Sequence, residues 1–195
     1  MKTILLSESG NPGAYSESTL EALRAEAGLV HATPSDVASG ACKDAEAVFS
    51  SWGMPCLSAD KIAENLPRLR AVFYAAGSVQ AFARPFLERG VRVYSAWLEN
   101  AVPVAEFAVS QILLANKGFF PLCRLIHSPE SRQAAKARLS TFPGNFDCRV
   151  GLLGCGGIGR LVAKALSAHR LEMLVFDPLS PRRTGRLAGR PQDRT

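Results

Sequence analysis

The sequence predicts an α/β fold made of two successive parts, and three observations predict it. Over residues 1–99, short apolar runs alternate with helical stretches, the pattern of a parallel sheet with crossover helices. A long helical segment free of charge through its middle follows. Beyond it, two more apolar runs flank a glycine-rich turn and an amphipathic stretch, which spells a βαβ unit.

In chain order, strands are expected at residues 3–6, 29–32, 47–50, 71–74 and 91–94, each a short run able to lie in a buried parallel sheet. Helices are expected at residues 18–27, 35–42, 58–65 and 81–89. Gly28 and Gly90 stand where helices stop, and Ser58 stands where a side chain would cap the third. Five strands with interleaved helices make a small flavodoxin-like domain over residues 1–99. Residues 104–125 then carry the longest helical signal, uncharged from Phe107 through Asn116. A helix apolar all round is expected to be buried, either as a core helix bridging two domains or as a subunit interface. Residues 128–145 are polar, contain Pro129, Pro143 and Gly144, and read as a surface connection.

Within the βαβ unit, residues 149–153 suit a buried strand, and Ile158, Leu161, Val162, Ala165 and Leu166 recur at helical spacing. Residues 171–176 suit a second strand ending at Asp177. Between the first strand and the helix, Gly154, Gly156 and Gly159 write the pattern G-x-G-x-x-G. The three glycines do different physical jobs. Gly154 permits the tight turn, Gly156 lets a pyrophosphate approach the backbone, and Gly159 lets helix and strand pack closely. The first N–H groups of the helix, at Gly157 and Ile158, would face phosphate at the positive end of the helix dipole. Asp177, 23 positions after Gly154, would accept hydrogen bonds from ribose hydroxyls and disfavour a 2′-phosphate, which predicts NAD rather than NADP. Arg182 and Arg183 argue the other way unless they belong to a solvated tail. Residues 100–177 are therefore expected to form the bridging helix and the opening part of a Rossmann dinucleotide-binding domain.

Bulk composition sets the remaining bounds. The 195 residues are 47% hydrophobic, and no run approaches the roughly 18 consecutive apolar residues of a membrane span. The apolar run near Met1 is too short for a signal peptide. Five cysteines, Cys42, Cys56, Cys123, Cys148 and Cys155, include no C-x-x-C pair, as expected of reduced thiols in a cytoplasmic protein and not of a disulfide frame or zinc site. The net charge of +6 is concentrated in residues 178–195, where five arginines face the single Asp193. With Leu179, Leu187 and Ala188 as its large or small apolar side chains, that segment is expected to be a disordered basic tail, and neither a nucleic-acid nor a membrane partner is expected.

Taken in order, these features resemble the D-isomer-specific 2-hydroxyacid dehydrogenases. The resemblance rests on the segment Leu66-Pro-Arg-Leu-Arg-Ala-Val-Phe-Tyr-Ala-Ala-Gly-Ser78, on Asn100, Val104, Ala105 and Glu106 at the start of the bridging helix, and on the fingerprint. It covers about residues 1–177. The resemblance implies NAD as cofactor, a small 2-hydroxy or 2-oxo acid as substrate, and a turn at Ala76, Gly77 and Ser78 whose N–H groups bind the substrate carboxylate. Backbone N–H groups displayed at a strand end also make an anion nest on physical grounds. Where relatives often continue with a second Gly and an Asp, this chain has Val79, Gln80 and Ala81. Trp52 and Gly53 fall at another substrate-facing position of the family, although a buried Trp is an equal reading.

The resemblance further implies a His that moves the hydroxyl proton, a Glu that orients it and an Arg that binds the substrate carbonyl, all beyond Thr195. His31, His127 and His169 are read as structural, so no catalytic residue and no metal ligand is assigned. With 36 residues after Gly159, the expectation is a truncated, inactive and self-associating member of the family. A non-catalytic NAD(H)-binding or protein-interaction module of the same fold is the alternative, and a free-standing flavodoxin-like domain with an inert remainder is a third.

Overall fold

The computed structural model describes residues 2–10, 13–179 and 184–188. It divides into two compact units, Met1–Asn100 and Ala101–Thr195.

The first unit alternates β1 (Thr3–Leu6), α1 (Glu17–Ala27), β2 (Leu29–Ala32), α2 (Pro34–Ala38), β3 (Ala47–Ser50), α3 (Ala59–Asn65), β4 (Ala71–Tyr74), α4 (Ala83–Glu88) and β5 (Arg92–Ser95). Its five strands are all parallel, in the order β2-β1-β3-β4-β5. This is the flavodoxin-like order, with the switch point between β1 and β3. Side chains alternate across the sheet. Ile4, Leu6, Val48 and Val72 point to one face, where Val37 of α2, Ile62 of α3 and Phe86 of α4 complete a core exposed by 2% or less at each of these positions. Leu5 lies on the opposite face with Leu20 of α1 and Leu29. On that face Phe49, Phe73 and Tyr94 stack across β3, β4 and β5 at centroid spacings of 4.9 and 5.1 Å.

Local chemistry sets the helix ends. Ser58 caps α3 by accepting the Lys61 N–H, as its sequence position suggested. Gly28 closes α1 in the left-handed region at φ 62°, where a glycine carries no Cβ penalty. The expected helix over residues 35–42 is shorter and starts one residue earlier, at Pro34. Thr33 and Asp36 form a reciprocal capping box at its start, and it runs out at Ser39 before Gly40, which has φ 82°.

The second unit begins within α5 (Trp97–Asn116) and continues through α6 (Phe119–Leu125), α7 (Pro129–Arg138), a 3-10 turn (Leu139–Thr141), β6 (Phe146–Leu153), α8 (Gly157–Leu166), β7 (Arg170–Phe176) and β8 (Thr184–Ala188). The strands run in the order β6-β7-β8, with β6 and β7 parallel and β8 antiparallel to β7. The core here is built from Val162 and Leu166 of α8 and Leu171 and Met173 of β7. Ala105, Ala108, Val109, Ile112 and Leu113 of α5 pack on it, spaced along one helical face.

Four expectations are corrected in this unit. The single helix over residues 104–125 is two helices: it starts at Trp97 and breaks at Gly118, whose φ is 69° and whose missing Cβ would lie 2.3 Å from the Phe142 ring. Nor is α5 buried all round. Ala101 and Ala105 are buried, whereas Phe107 is 66% exposed, because one seam of the helix meets a core and the rest does not. The helix is 20 residues long and its most apolar 18-residue window has a mean hydropathy of 1.2, enough by length and composition only to cross a membrane, a test that the core helix of a soluble protein also passes. The polar connection at 128–145 contains α7, started by a capping box of Ser128 and Ser131 with Pro129 in the first turn. Finally, of the segment read as a disordered tail, residues 184–188 form β8. A ladder on the free edge of β7 needs backbone N–H and C=O groups, not apolar periodicity. Residues 180–183 and 189–195, including Arg182, Arg183, Arg190 and Arg194, lie outside the described residues.

Candidate functional site

Leu153 ends β6, and the chain turns at Gly154, held at φ 90°, a conformation L side chains rarely adopt. The Gly154 N–H donates to the Phe176 carbonyl at 2.8 Å, so the turn is tied to the end of β7. Gly156 is the N-cap of α8, and no side chain caps that helix. Gly157, Ile158 and Gly159 form its first turn, where N–H groups lack intrahelical acceptors. The two outer constraints of the motif differ in kind. A Cβ on Gly159 would lie 2.4 Å from the Gly154 carbonyl oxygen, so helix and turn touch there, whereas a Cβ on Gly156 would meet nothing within 4 Å. The residues therefore fit a phosphate-bearing group: Gly159 closes the protein side, and Gly156 leaves the other side open.

A cavity of about 540 Å³ lies at this turn, lined by Gly154, Cys155, Gly156, Arg160, Asp177 and Leu179, among others. Arg160 folds back over it and donates through Nε to the Cys155 carbonyl at 3.1 Å. Asp177 stands where the sequence placed it, at the end of β7, but its carboxylate already serves the turn. Oδ2 accepts the Cys155 N–H at 2.8 Å and Oδ1 accepts the Leu179 N–H at 2.9 Å. Sequence spacing gave no sign of this second use, because it depends on β6 and β7 being adjacent. A groove of about 580 Å³ between α5 and α8 is larger but lined mainly by apolar side chains such as Val102, Val109 and Leu161. Its charged members are Glu106 and Lys164.

In the first unit, Ala76, Gly77 and Ser78 follow β4 at the carboxyl end of the sheet. Ala75 donates to the Ser50 carbonyl at 2.9 Å, continuing the ladder one step past the strand. Ala76 is fully buried, Gly77 half-buried and Ser78 exposed. The Ser95 hydroxyl lies 3.0 Å from the Ala76 carbonyl oxygen and 2.6 Å from that of Gly77. Asn100 approaches from the start of α5, its Nδ2 being 3.1 Å from where a Gly77 Cβ would stand. Two of the three segments carrying the family resemblance thus meet at this turn. Ser95 was missed by sequence reasoning.

Tyr15 supports the strand ends beside this turn. Its hydroxyl donates toward the Ser50 carbonyl at 3.1 Å and lies 3.4 Å from that of Phe73, and burial pushes its pKa up to about 12, with the Ser50 hydrogen bond pulling slightly back. Trp52 is 61% exposed on the loop after β3, next to Gly53 at φ 89°, so the buried-Trp alternative is not what the fold adopts. His31 Nε2 lies 2.9 Å from the Ser7 carbonyl oxygen and 3.1 Å from the Gly10 nitrogen, bracing the loop after β1. The His127 N–H donates to Ser131 in the cap of α7, and His169 follows the end of α8 with its N–H on the Leu166 carbonyl.

No protein-family model matches the sequence, and none of the curated proteins does. Solved structures match the fold. A phosphoglycerate oxidoreductase from Rhizobium etli is 23% identical with a TM-score of 0.64, over 93% of this chain and 57% of that one. The holo form of D-mandelate dehydrogenase from Rhodotorula graminis is 17% identical with a TM-score of 0.73, over 92% and 56%. An NAD-dependent formate dehydrogenase from Staphylococcus aureus, solved in complex with NAD, is 20% identical with a TM-score of 0.60, over 92% and 57%. Nearly all of this chain therefore shares the fold of these dehydrogenases, while spanning a little over half of their length.

Proposed function

We propose that these residues are the N-terminal part of a cytoplasmic NAD-dependent dehydrogenase that interconverts a small D-2-hydroxy acid and its 2-oxo acid. The observation that carries this reading is the glycine turn before α8, closed to a Cβ at Gly159 and open to an approaching group at Gly156. The fold shared with solved dehydrogenases supports it.

In this reading the N–H groups of Gly157 and Ile158, with Gly156 beneath them, hold the dinucleotide pyrophosphate. Asp177 takes the ribose hydroxyls in exchange for its backbone bonds to Cys155 and Leu179. The turn of Ala76, Gly77 and Ser78 holds the substrate carboxylate. Bound nicotinamide would supply or accept the hydride. The proton-moving His, its Glu and the carbonyl-binding Arg that the resemblance implies are assigned to polypeptide outside these 195 residues.

A chimera tests the reading: the C-terminal part of the Rhodotorula D-mandelate dehydrogenase joined after Asp177. It should oxidise NADH with a 2-oxo acid and lose that activity on Gly156→Val. The 195-residue polypeptide alone should show no turnover, since general acid–base catalysis is worth about 10² to 10⁴ in rate and its groups would be missing. A folded chimera that binds NADH yet turns over no 2-oxo acid would instead favour the non-catalytic NAD(H)-binding module. We also propose that the chain self-associates through α5, whose Val102, Val104 and Phe107 are exposed. Sedimentation of a monomer at tens of micromolar would exclude that.

A further inference from the structure

We infer that Ser95 is the positioning residue that aims the anion-binding turn, an inference resting on the reading of Ala76, Gly77 and Ser78 as the carboxylate site. Two consecutive carbonyls, of Ala76 and Gly77, converge on one hydroxyl at 3.0 and 2.6 Å. A serine hydroxyl has one proton to donate, so the two carbonyls share it, with the shorter contact at Gly77. The convergence fixes more than the carbonyls. None of the described peptide bonds is cis, and in a trans peptide the N–H points opposite to the C=O. The Ala76 carbonyl belongs to the same peptide as the Gly77 N–H, and the Gly77 carbonyl to the same peptide as the Ser78 N–H. Holding both carbonyls toward β5 therefore turns both N–H groups away from it.

Among the described residues neither of those N–H groups has an acceptor. Two adjacent outward N–H groups are the elements of an anion nest. Ser95 can reach the turn because β4 and β5 pair in parallel with Tyr74 opposite Ser95, and the Ala96 N–H continues the ladder to the Tyr74 carbonyl. That register sets the hydroxyl beside Ala76 and Gly77, the second and third residues after β4. Asn100 stands beside the same turn at the start of α5, its Nδ2 3.1 Å from where a Cβ on Gly77 would be. Without the hydroxyl, the Ala76 and Gly77 carbonyls lose their shared donor, and the two peptide planes can rotate about the bonds flanking Gly77, the residue with the least restricted backbone.

Two measurements on the 195-residue chain test this: residual dipolar couplings of the Gly77 and Ser78 amides, and titration of the same amide resonances with pyruvate. Ser95→Ala is expected to take both couplings out of agreement with the neighbouring strands and to weaken pyruvate binding about tenfold, the effect of spoiling a hydrogen bond to a charged group. Ser95→Thr, which keeps the hydroxyl, should restore both. Melting temperature and the couplings of β1 and β3 report whether each variant is folded. Unchanged couplings in Ser95→Ala would overturn the inference whatever pyruvate does, and so would changed couplings with unchanged affinity. Changed couplings in a protein whose wild type shows no pyruvate-dependent shift would uphold Ser95 as the residue that orients the turn and would sink the carboxylate reading alone.

Discussion

The turn after β4 and the turn after β6 both end a parallel strand and both present backbone N–H groups, yet they are restrained by different parts. After β6 the turn is packed backbone on backbone, with Gly159 against the Gly154 carbonyl and no room for a Cβ, and the Asp177 side chain adds a hydrogen bond to the Cys155 N–H. After β4 the restraint comes from side chains, with Ser95 on the carbonyls and Asn100 against Gly77. The consequence is a difference in tolerance. A backbone oxygen cannot yield without moving a strand, whereas an amide side chain can change rotamer.

The largest effect is expected at the paired glycines. Gly159→Ala should destabilise the second unit by about 1–3 kcal/mol, the usual cost of forcing a methyl group into a filled site. Gly77→Ala should cost the first unit less, because the Asn100 amide can move aside. Amide exchange in β6 and β7 for the one, and in β4 and β5 for the other, measures each unit separately. Equal costs would abolish the distinction between a backbone-packed and a side-chain-held turn.

Asp177→Asn comes next. The amide keeps one oxygen but presents an NH₂ group to the other backbone N–H, so one bond of the pair at Cys155 and Leu179 is lost. A stability loss of about 1–2 kcal/mol is expected, on the scale of a hydrogen bond to a charged group, and urea titration followed by circular dichroism reads it. A neutral outcome would mean that the carboxylate does not restrain the turn, leaving ligand binding as its role.

A smaller effect, confined to high pH, is expected at Tyr15. Its pKa is pushed from 10.0 up to about 12 in the folded chain. Between those values the unfolded chain has released a proton that the folded chain retains, so the Tyr15 contribution to stability is full below pH 10 and declines as pH rises toward 12. Tyr15→Phe should flatten that part of the stability profile for the first unit. A profile identical to wild type above pH 10 would show that the phenol is not held in its neutral form.

The smallest change is also the sharpest in sign. Serine is a better helix N-cap than glycine by a few tenths of a kcal/mol, so Gly156→Ser should slightly raise the stability of α8 by capping its first turn. The same hydroxyl and Cβ would occupy the open side of the turn and lower NADH affinity, as followed by fluorescence titration. Stability and affinity moving in the same direction would remove the case for Gly156 as a ligand-facing glycine.

Much of the architecture was legible because local pattern and tertiary role agree in a parallel α/β sheet. Strands β1 to β4 match the short runs at their expected residues, and the reason is clearest at β1 and β3, which lie inside the sheet, are buried on both faces and are therefore largely apolar. Ser58 acts as a cap, and the glycine spacing lies on the strand–turn–helix that it requires. Helix α7 was also within reach, because Ser128, Pro129 and Ser131 carry a helix-start signal that the prolines and polar composition concealed. The break between α5 and α6 was not, since nothing local distinguishes Gly118 until the Phe142 ring is packed against it. Strand β8 was hidden for a related reason: its place depends on the free edge of β7, which a basic, Gly-containing segment can pair with through its backbone alone.

At the candidate site the sequence by itself determined which residues have the freedom to form the turns: Gly154 at positive φ, Gly156 and Gly159 around the helix start, and Gly77 after β4. Tertiary structure alone decided what holds those turns in place. Ser95 is 18 residues from Gly77 and Asp177 is 22 from Cys155. Each pair is brought together by neighbouring strands in register, and a hydrogen bond across that separation leaves no periodic trace in the chain. Local steric freedom is a property of residue type, whereas the direction in which an N–H points is a property of the partners that its peptide finds.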